Sequence, residues 1–338
     1  MSEPVSVIIL NYNGRRFLGE CIKSVLNQTY VDFELILFDN ASTDNSIGFV
    51  KDNFGDERIK ILRSETNLGF AGGNNEALKH CSSDIIVLLN NDTIVDKNWL
   101  KYLVDSISER NTVASSFVIT QGIPEKYYQT NGSVSYLMYN VMNVFDNSEI
   151  FYPNGCSVIF RKSEVGYPFD ESYYYYGEDV YLGLMARFRG MKVVFARDSV
   201  VNHIGSGTNS DAVKKTFYQE RNRFLNIYLF FSPWYIIKIL PYIFFNHSFN
   251  IILSLLGKGK PLMGLLKAYI WFYLNIPLVL KKRKQVRNRI TADESEVIKY
   301  MTSKVFNGEN LFERITNKLS YFYSRLVGLK SHEYYNKS

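Results

Sequence analysis

The sequence predicts an α/β fold, a mostly parallel sheet with helices on both faces, from three observations. Seven apolar runs of strand length occur at 5–10, 34–38, 59–62, 85–89, 113–119, 156–160 and 192–196. Between several of them lie helical patterns: Phe17, Cys21 and Val25 recur every four residues, and 71–81 and 99–107 look similar. Several runs also end abruptly in amides or carboxylates. Strand–helix alternation with near-continuous apolar strands implies a parallel sheet covered on both faces. In such sheets ligands sit at the carboxyl ends of the strands, so the chemistry belongs at the strand tips.

The first strand, VSVIIL, runs into Asn11, Tyr12, Asn13 and Gly14. A turn into a helix near Arg15 accounts for these residues, since Asn and Gly supply caps and positive φ. A functional reading stands beside it, with the Tyr12 ring on a planar base that the flanking amides hydrogen-bond. The second strand, ELILF, gives Asp39, Asn40, Ala41, Ser42, Thr43 and Asp44. Ser42 or Asp44 suits the cap of the next helix. Asp39 precedes any helix, and a carboxylate there accepts a base N–H or ribose hydroxyls.

Next comes NLGFAGGNNEAL, residues 67–78. Gly69, Gly72 and Gly73 allow close backbone approach, and the helix that follows, which holds Asn74, offers its N-terminal amides to an anion. The pattern is neither a Walker A loop nor the spaced dinucleotide fingerprint. In LLNNDT, residues 88–93, a core strand stops at Asn90, Asn91 and Asp92. A capped turn into a helix near Asp96 is the plain explanation. The functional one makes Asp92 a hard oxygen ligand for Mg²⁺ or Mn²⁺ carrying a diphosphate, an ion that neutralises charge on a departing nucleotide.

The 338 residues allow one large or two ordinary domains, and 46% hydrophobic against 21% charged residues suffice for a core. Three scattered cysteines, Cys21, Cys81 and Cys156, make neither a disulfide framework nor a zinc site, so a reducing compartment is expected. The start, MSEPVSVIIL, has an acid where a signal peptide needs a base, which predicts a cytoplasmic location. Past residue 211 the character changes: 225–245 and 262–280 are aromatic and nearly uncharged, broken by Pro233, Pro241 and Pro277. Each approaches spanning length. Lys238 and Lys267 fall within them, and a charge near the bilayer centre costs about 2.5–3.5 kcal/mol. Interfacial or re-entrant helices are the favoured expectation, with a buried helical subdomain and a spanning pair as alternatives. The basic run KKRKQVRNR, residues 281–289, suits an anionic membrane surface. No nucleic-acid motif surrounds it, so no nucleic-acid partner is expected; a solvated charged face is the other reading. The expected division is 1–210 and 211–338, the latter helical and membrane-associating.

Taken together, VSVIILNYNG, FDNASTDNS, NLGFAGGNN and LLNNDT resemble, in order and approximate spacing, the family-2 inverting glycosyltransferases. The resemblance covers roughly residues 4–225 and is nearest to the rhamnosyltransferase-like branch that builds surface glycans. It implies the GT-A fold, Rossmann-like, in residues 1–210. It further implies a nucleotide-sugar site on Asn11, Tyr12, Asn13, Asp39 and Asn40, continued by Gly69, Asn74, Asn90 and Asn91. NGCSVIFRKS, residues 154–163, resembles the family's strand behind the acceptor site. YYYYGEDVYLGLMARFRG, residues 173–190, resembles its Glu-Asp helix start, which makes Asp179 the catalytic base with Glu178 beside it. One carboxylate taking the acceptor proton is what inverting transfer needs. Glu178 raises the Asp179 pKa by like charge, and the helix N-terminus pushes the other way. His203, in VVNHIGSGT, resembles a histidine that some such enzymes add as a metal ligand, and Arg221 with Arg223 resembles the family's RNR segment, where phosphate contact is implied.

Two positions depart from the family. Asn90 replaces the first acid of its Asp-any-Asp metal motif, with Asn91 as spacer, and Tyr181 stands where the branch often has a second Asp. The Tyr- and Asn-rich segment 121–153, with Tyr173–Tyr176, suits a variable acceptor site. The expectation is therefore a metal-dependent inverting hexosyltransferase on the inner face of a membrane. It uses a nucleotide sugar (dTDP-rhamnose or a UDP- or GDP-sugar) and a glycan or polyprenyl-linked glycan acceptor. A sugar nucleotidyltransferase and a non-catalytic sugar-nucleotide-binding scaffold are the rival readings.

Overall fold

The computed structural model describes residues 3–122, 133–141, 149–205, 211–308 and 310–332. The chain forms two compact units: Met1–Asn131, Asn147–Leu182 and Met191–Ser206 make the first, and Gly132–Asp146, Gly183–Gly190 and Gly207–Ser338 the second.

The first unit is built on an eight-stranded sheet whose strands lie side by side in the order 59–63, 33–39, 5–11, 85–90, 157–161, 112–120, 192–203 and 93–95. β1 (Val5–Asn11) pairs in parallel with β2 (Phe33–Asp39) and β4 (Ile85–Asn90), and β2 with β3 (Ile59–Arg63). β6 (Thr112–Thr120) and β10 (Lys192–His203) are also parallel. β9 (Ser157–Arg161) runs antiparallel between β4 and β6. All seven expected strands are present. Helices α1 (Arg15–Leu26), α2 (Ser46–Asn53), α3 (Gly69–Leu78) and α4 (Trp99–Ser106) join them.

The strands are apolar on both faces because both are covered. Val7, Ile8 and Ile9 of β1 are all fully buried. α1 buries Leu18, Cys21, Ile22 and Val25, a stripe rotated by one residue from the expected Phe17 start. Trp99 anchors α4: its indole N–H lies 3.0 Å from both the Ser116 and Ser157 hydroxyls, and the Ser199 hydroxyl donates to its carbonyl at 3.0 Å. The three cysteines are free and buried.

Two elements differ from expectation. β10 was expected to end at residue 196 but continues to His203 through a bulge between Ala196 and Val200. The bulge takes up the polar Arg197 and Asp198 that read as a strand end. The stretch after LLNN does not turn directly into a helix. It forms β5 (Thr93–Val95), antiparallel to β10, with Thr93 opposite His203.

The second unit is mainly helical: α7 (Ala212–Phe230), α8 (Pro233–Leu255), α9 (Leu262–Leu274), α10 (Ile276–Arg287), α11 (Glu294–Ile298) and α12 (Leu311–Leu326). The apolar segment expected at 225–245 is broken at Ser232, whose hydroxyl accepts the Tyr235 N–H at 3.1 Å with Pro233 opening α8. By length and composition α8 could cross a membrane, whereas α9 and α10 are bent by 72° from each other. Part of the basic run is tied to the protein itself, because Arg283 and Arg287 of α10 donate to the α7 carbonyls of Tyr228 and Phe230. That places two cations at the negative end of a helix dipole.

Candidate active site

The strand register assembles the polar tips. Asn11 lies opposite Asp39, and Leu10 opposite Asn90. The Asn11 side chain is the hub. Its Nδ2 donates to Asp39 Oδ1 at 3.0 Å and Ser42 Oγ at 3.1 Å, and its Oδ1 accepts Asn91 Nδ2 at 2.8 Å. Asp39, only 1% exposed, also accepts the Ser42 N–H at 3.0 Å and has Arg63 Nε at 3.6 Å. The Asn13 N–H reaches Ser42 Oγ at 2.9 Å, and Asn13 Oδ1 accepts the Thr43 N–H at 2.8 Å. Tyr12 is half-buried beside this network.

Gly14 is required here, since a Cβ would stand 2.0 Å from Asn91 Nδ2 and 2.5 Å from Asn11 Oδ1. Asn91, expected as a spacer, thus ties β4 to β1. Asp44 caps twice, accepting the N–H of Arg15 at 2.8 Å and of Ser46 at 3.1 Å, the first residues of α1 and α2.

Asn40 and Asn74 spend their amides on the glycine-rich segment. Asn40 Nδ2 donates to Asn67 Oδ1 at 3.1 Å and the Gly69 carbonyl at 3.0 Å, while its Oδ1 accepts the Leu68 N–H at 2.9 Å. Asn74 donates to the Phe70 carbonyl at 2.9 Å. Gly69, at φ +74°, lies against Tyr174: an added Cβ would meet the tyrosine carbonyl oxygen at 2.6 Å, and that carbonyl accepts the Phe70 N–H at 2.7 Å.

Where β5 pairs with β10, Asp92 Oδ1 and His203 Nε2 stand 3.2 Å apart, both partly exposed. The Asp92 carbonyl accepts the Ile204 N–H at 2.9 Å, which holds the two segments in register. Ligands about 2.1 Å from an octahedral ion stand roughly 3 Å from each other. The two groups therefore fit neighbouring positions around one divalent ion. No cluster of three or more His, Cys, Asp or Glu forms a fuller set among the described residues. A diphosphate and water would have to complete the shell. Asn90 closes β4, its N–H donating to the Cys156 carbonyl at 2.9 Å and its carbonyl accepting the Thr93 hydroxyl at 2.7 Å.

The Glu-Asp pair opens α6 (Glu178–Phe188). Burial pushes both carboxyls above the ordinary carboxylate range, and the Asp179 charge raises Glu178 further. The Val180 N–H donates to Asp179 Oδ1 at 2.8 Å and opposes the rise. Glu178 Oε2 is buried without a hydrogen-bond partner. Neutral protonation of Glu178 is the state that such burial favours. The preceding tyrosines hold unusual backbone: Tyr174 and Tyr176 have φ of 63° and 65°, and Gly177 has 82°. Strain of this kind persists only where the surroundings impose it, and here it aims the helix start. Tyr181, at the departing position, is buried with its ring centroid 5.3 Å from that of Tyr173.

One segment links the two acidic sites. The Cys156 carbonyl receives the Asn90 N–H, and Gly155 lies beside Asp179, whose Cβ would be in ordinary contact, 3.5 Å, with an added Cβ. The Tyr152 hydroxyl feels burial first and then the Asp179 charge, both of which push its pKa up. Tyr175 lies within electrostatic reach of both Tyr12 and Glu178. The register and these contacts bring Asn11, Asn13, Asp39, Asn91, Asp92 and His203 to the carboxyl edge of the sheet, with Asp179 beside Gly155. The hydrogen bonds of Ser42 to Asn11 and Asn13 and the strand β5 were not anticipated. Three residues of β5 are too few to leave a periodic signal.

Arg221 belongs to the second unit. Its guanidinium carbon lies 5.3, 4.8 and 5.0 Å from the ring centroids of Phe217, Tyr218 and Trp271. Of the expected acceptor segment 121–153, residues 123–132 and 142–148 lie outside the described residues.

Residues 6–165 match the family model of Glycosyl transferase family 2. Among curated relatives, the UDP-Glc:alpha-D-GlcNAc-diphosphoundecaprenol beta-1,3-glucosyltransferase WfgD of Escherichia coli is 38% identical over 107 residues, 32% of this chain and 42% of that protein. The chain thus spans less than half the length of that relative. Two solved structures share the fold. The 1–349 portion of Staphylococcus aureus TarS in complex with UDP has a TM-score of 0.51 at 17% identity, covering 99% of this chain and 91% of that one. The mannosyltransferase PcManGT of Pyrobaculum calidifontis, in complex with GDP-Man and Mn²⁺, has a TM-score of 0.54 at 15% identity, covering 86% of each. The curled, helix-flanked sheet is the GT-A glycosyltransferase fold, and a helical, aromatic C-terminal region accompanies it.

Proposed function

We propose that the protein transfers a sugar from a nucleotide-sugar donor to a hydroxyl of a glycan acceptor, with inversion at the anomeric carbon. One observation carries this reading: a half-buried carboxylate at a helix start, Asp179, lies beside Gly155, next to Cys156, whose carbonyl binds the end of the strand that leads to Asp92 and, facing it from β10, His203. Asp179, with its pKa raised by burial, is a stronger base than a solvated aspartate. It takes the acceptor proton as the hydroxyl oxygen attacks C1 and the C1–O bond to the diphosphate breaks. A single displacement inverts the centre and releases the nucleoside diphosphate.

Asp92 and His203 would hold a divalent ion, Mg²⁺ or Mn²⁺. Such an ion, when bound, offsets charge on the leaving diphosphate. Asp39 and the Asn11–Asn13 turn form the nucleoside end, with Tyr12 as a ring face. Glu178, kept neutral by burial beside Asp179, orients the acceptor. The expected branch specificity, dTDP-rhamnose or a UDP- or GDP-sugar, is part of this proposal. So is a lipid-linked acceptor, which the diphosphoundecaprenol in the relative's name supports. Residues 211–338 would hold the enzyme to the inner face of the membrane. In support, α8 is long and apolar and exposes Trp234, Ile237, Leu240 and Phe244.

The test is donor hydrolysis and transfer measured across nucleotide sugars, with and without Mn²⁺, for the wild type and Asp179→Asn. Turnover in the wild type that the variant lacks supports the reading. Equal turnover in both removes Asp179 from the mechanism, and a wild type inert to every donor favours a sugar-nucleotide-binding scaffold.

A further inference from the structure

Helix α12 is amphipathic in the inverse of the usual sense. It buries Ser320 and Ser324. It turns Leu311, Phe312, Ile315, Leu319, Phe322 and Leu326 outward, 51–84% exposed. These positions recur every three or four residues and form one stripe. Polar contacts with α8 set the orientation. The Tyr242 hydroxyl donates to the Ser320 carbonyl at 2.8 Å, the Ser320 hydroxyl donates to Tyr242 Oη at 3.0 Å, and the Tyr323 hydroxyl donates to the Lys238 carbonyl at 2.9 Å. Rolling the helix to hide its leucines would break all three.

An open cavity of about 860 Å³ lies at the first turns of this helix. Its walls carry three cations, Lys304, Arg314 and Lys318, together with Leu311 and Ile315 of the outward stripe. Among the described residues no carboxylate belongs to its lining, the Glu313 carboxylate standing against Gly308 at its edge, and none of the three cations forms a salt bridge. The only acid in the first turn of α12, Glu313, is occupied in a capping box with Asn310. A cationic wall therefore continues directly into an apolar one.

We infer that this cavity receives the phosphate headgroup of an anionic membrane lipid, with the outer stripe of α12 at the depth of the upper acyl chains. The charges match the head and the leucines match the tail. A free phosphate would leave the stripe in water, whereas a lipid satisfies both walls together. The inference rests on the reading that the second unit meets a membrane, and it assigns the headgroup contact to a segment outside the basic run at 281–289.

Full-length protein is floated with vesicles of phosphatidylcholine alone and of phosphatidylcholine with phosphatidylglycerol. Two variants accompany the wild type, Lys304→Gln/Arg314→Gln/Lys318→Gln and Lys304→Arg/Lys318→Arg. The wild type should bind the anionic vesicles, the triple variant roughly a hundredfold more weakly, and the arginine variant as the wild type does. Binding to neutral vesicles should change little among the three. Addition of inorganic phosphate at millimolar concentration distinguishes the sources: unchanged vesicle binding supports a lipid site, and full displacement overturns it in favour of free phosphate. A triple variant that binds anionic vesicles as the wild type does overturns the headgroup site and leaves the membrane reading standing. A wild type that floats with neither vesicle overturns both. Circular dichroism and transfer to a water-soluble acceptor show that the variants are folded.

Discussion

The two units of this protein use burial in opposite ways. In the first, Val, Ile and Leu fill the sheet and polar groups collect at the strand tips, where Asn11, Asp39, Asn91 and Asp92 meet. In the second, a charged pair lies inside: Glu220 and Arg223 are 2.5 Å apart with side chains 1% and 5% exposed, and Lys260 Nζ stands 2.6 Å from the same carboxylate. Burial alone would raise the Glu220 carboxyl, but the two cations outweigh it and hold it at about 2. Leucines and phenylalanines, meanwhile, cover much of α8 and α12 on the outside. The contrast teaches that a hydrophobic pattern specifies a face, while the medium on the far side decides whether that face points in or out. On the proposed function, water would surround the first pattern and a lipid boundary would meet the second.

The largest effect expected is chemical. Asp179→Asn should lower transfer by roughly 10²–10⁴-fold while leaving nucleotide binding in place, as single-turnover assays with a donor titration would show. A loss in donor affinity instead would make Asp179 a binding residue.

On the other side of the comparison, Glu220→Leu leaves the Arg223 guanidinium buried without its main partner. It should destabilise the protein by about 3–5 kcal/mol, read from denaturant unfolding. A cost below about 1 kcal/mol, the scale of an exposed pair, would show that the interior of the second unit is wetter than its packing implies, and the contrast would fail.

Asp92→Ala should weaken Mn²⁺ binding in the presence of nucleoside diphosphate by at least roughly tenfold, measured by calorimetry. Unaltered binding would move the ion away from the strand tip. Gly14→Ala forces a methyl into the Asn11–Asn91 contact and should cost about 1–3 kcal/mol, which thermal unfolding would resolve.

The smallest effect is a pH dependence. Burial raises the folded pKa values of Glu178 and Asp179 above their unfolded range of about 4. Proton uptake then favours the folded state, so stability is fullest below that range and is lost as pH rises through the raised values. Asp179→Asn should therefore melt roughly 2–4 °C above the wild type at pH 8, with the gap closing toward pH 4. The same shift places the acidic limb of the transfer profile above the usual carboxylate range. A constant gap across pH would show that Asp179 is solvated.

The legible parts of the fold share a cause. β1, β2 and β4 are long apolar runs, and parallel strands deliver their ends to one edge, so Asn11, Asp39 and Asp92 could be grouped before any coordinates. β5 is too short to show a period, and the bulge in β10 hides seven residues of strand behind Arg197 and Asp198. The capping role of Asp44 was readable from local turn chemistry. That of Asn91 was not, because its partner lies on another strand.

By itself the sequence determined the strand tips, the Glu-Asp helix start and the aromatic character of the C-terminal region. The first and third follow from local composition and period, and the second from the resemblance to a known family. Only the tertiary structure decided that His203 faces Asp92, that Gly155 lies beside Asp179, and that α12 turns its leucines outward. Each of these depends on pairing between segments far apart in the chain, where register and side-chain hydrogen bonds choose among arrangements that the local pattern leaves equal.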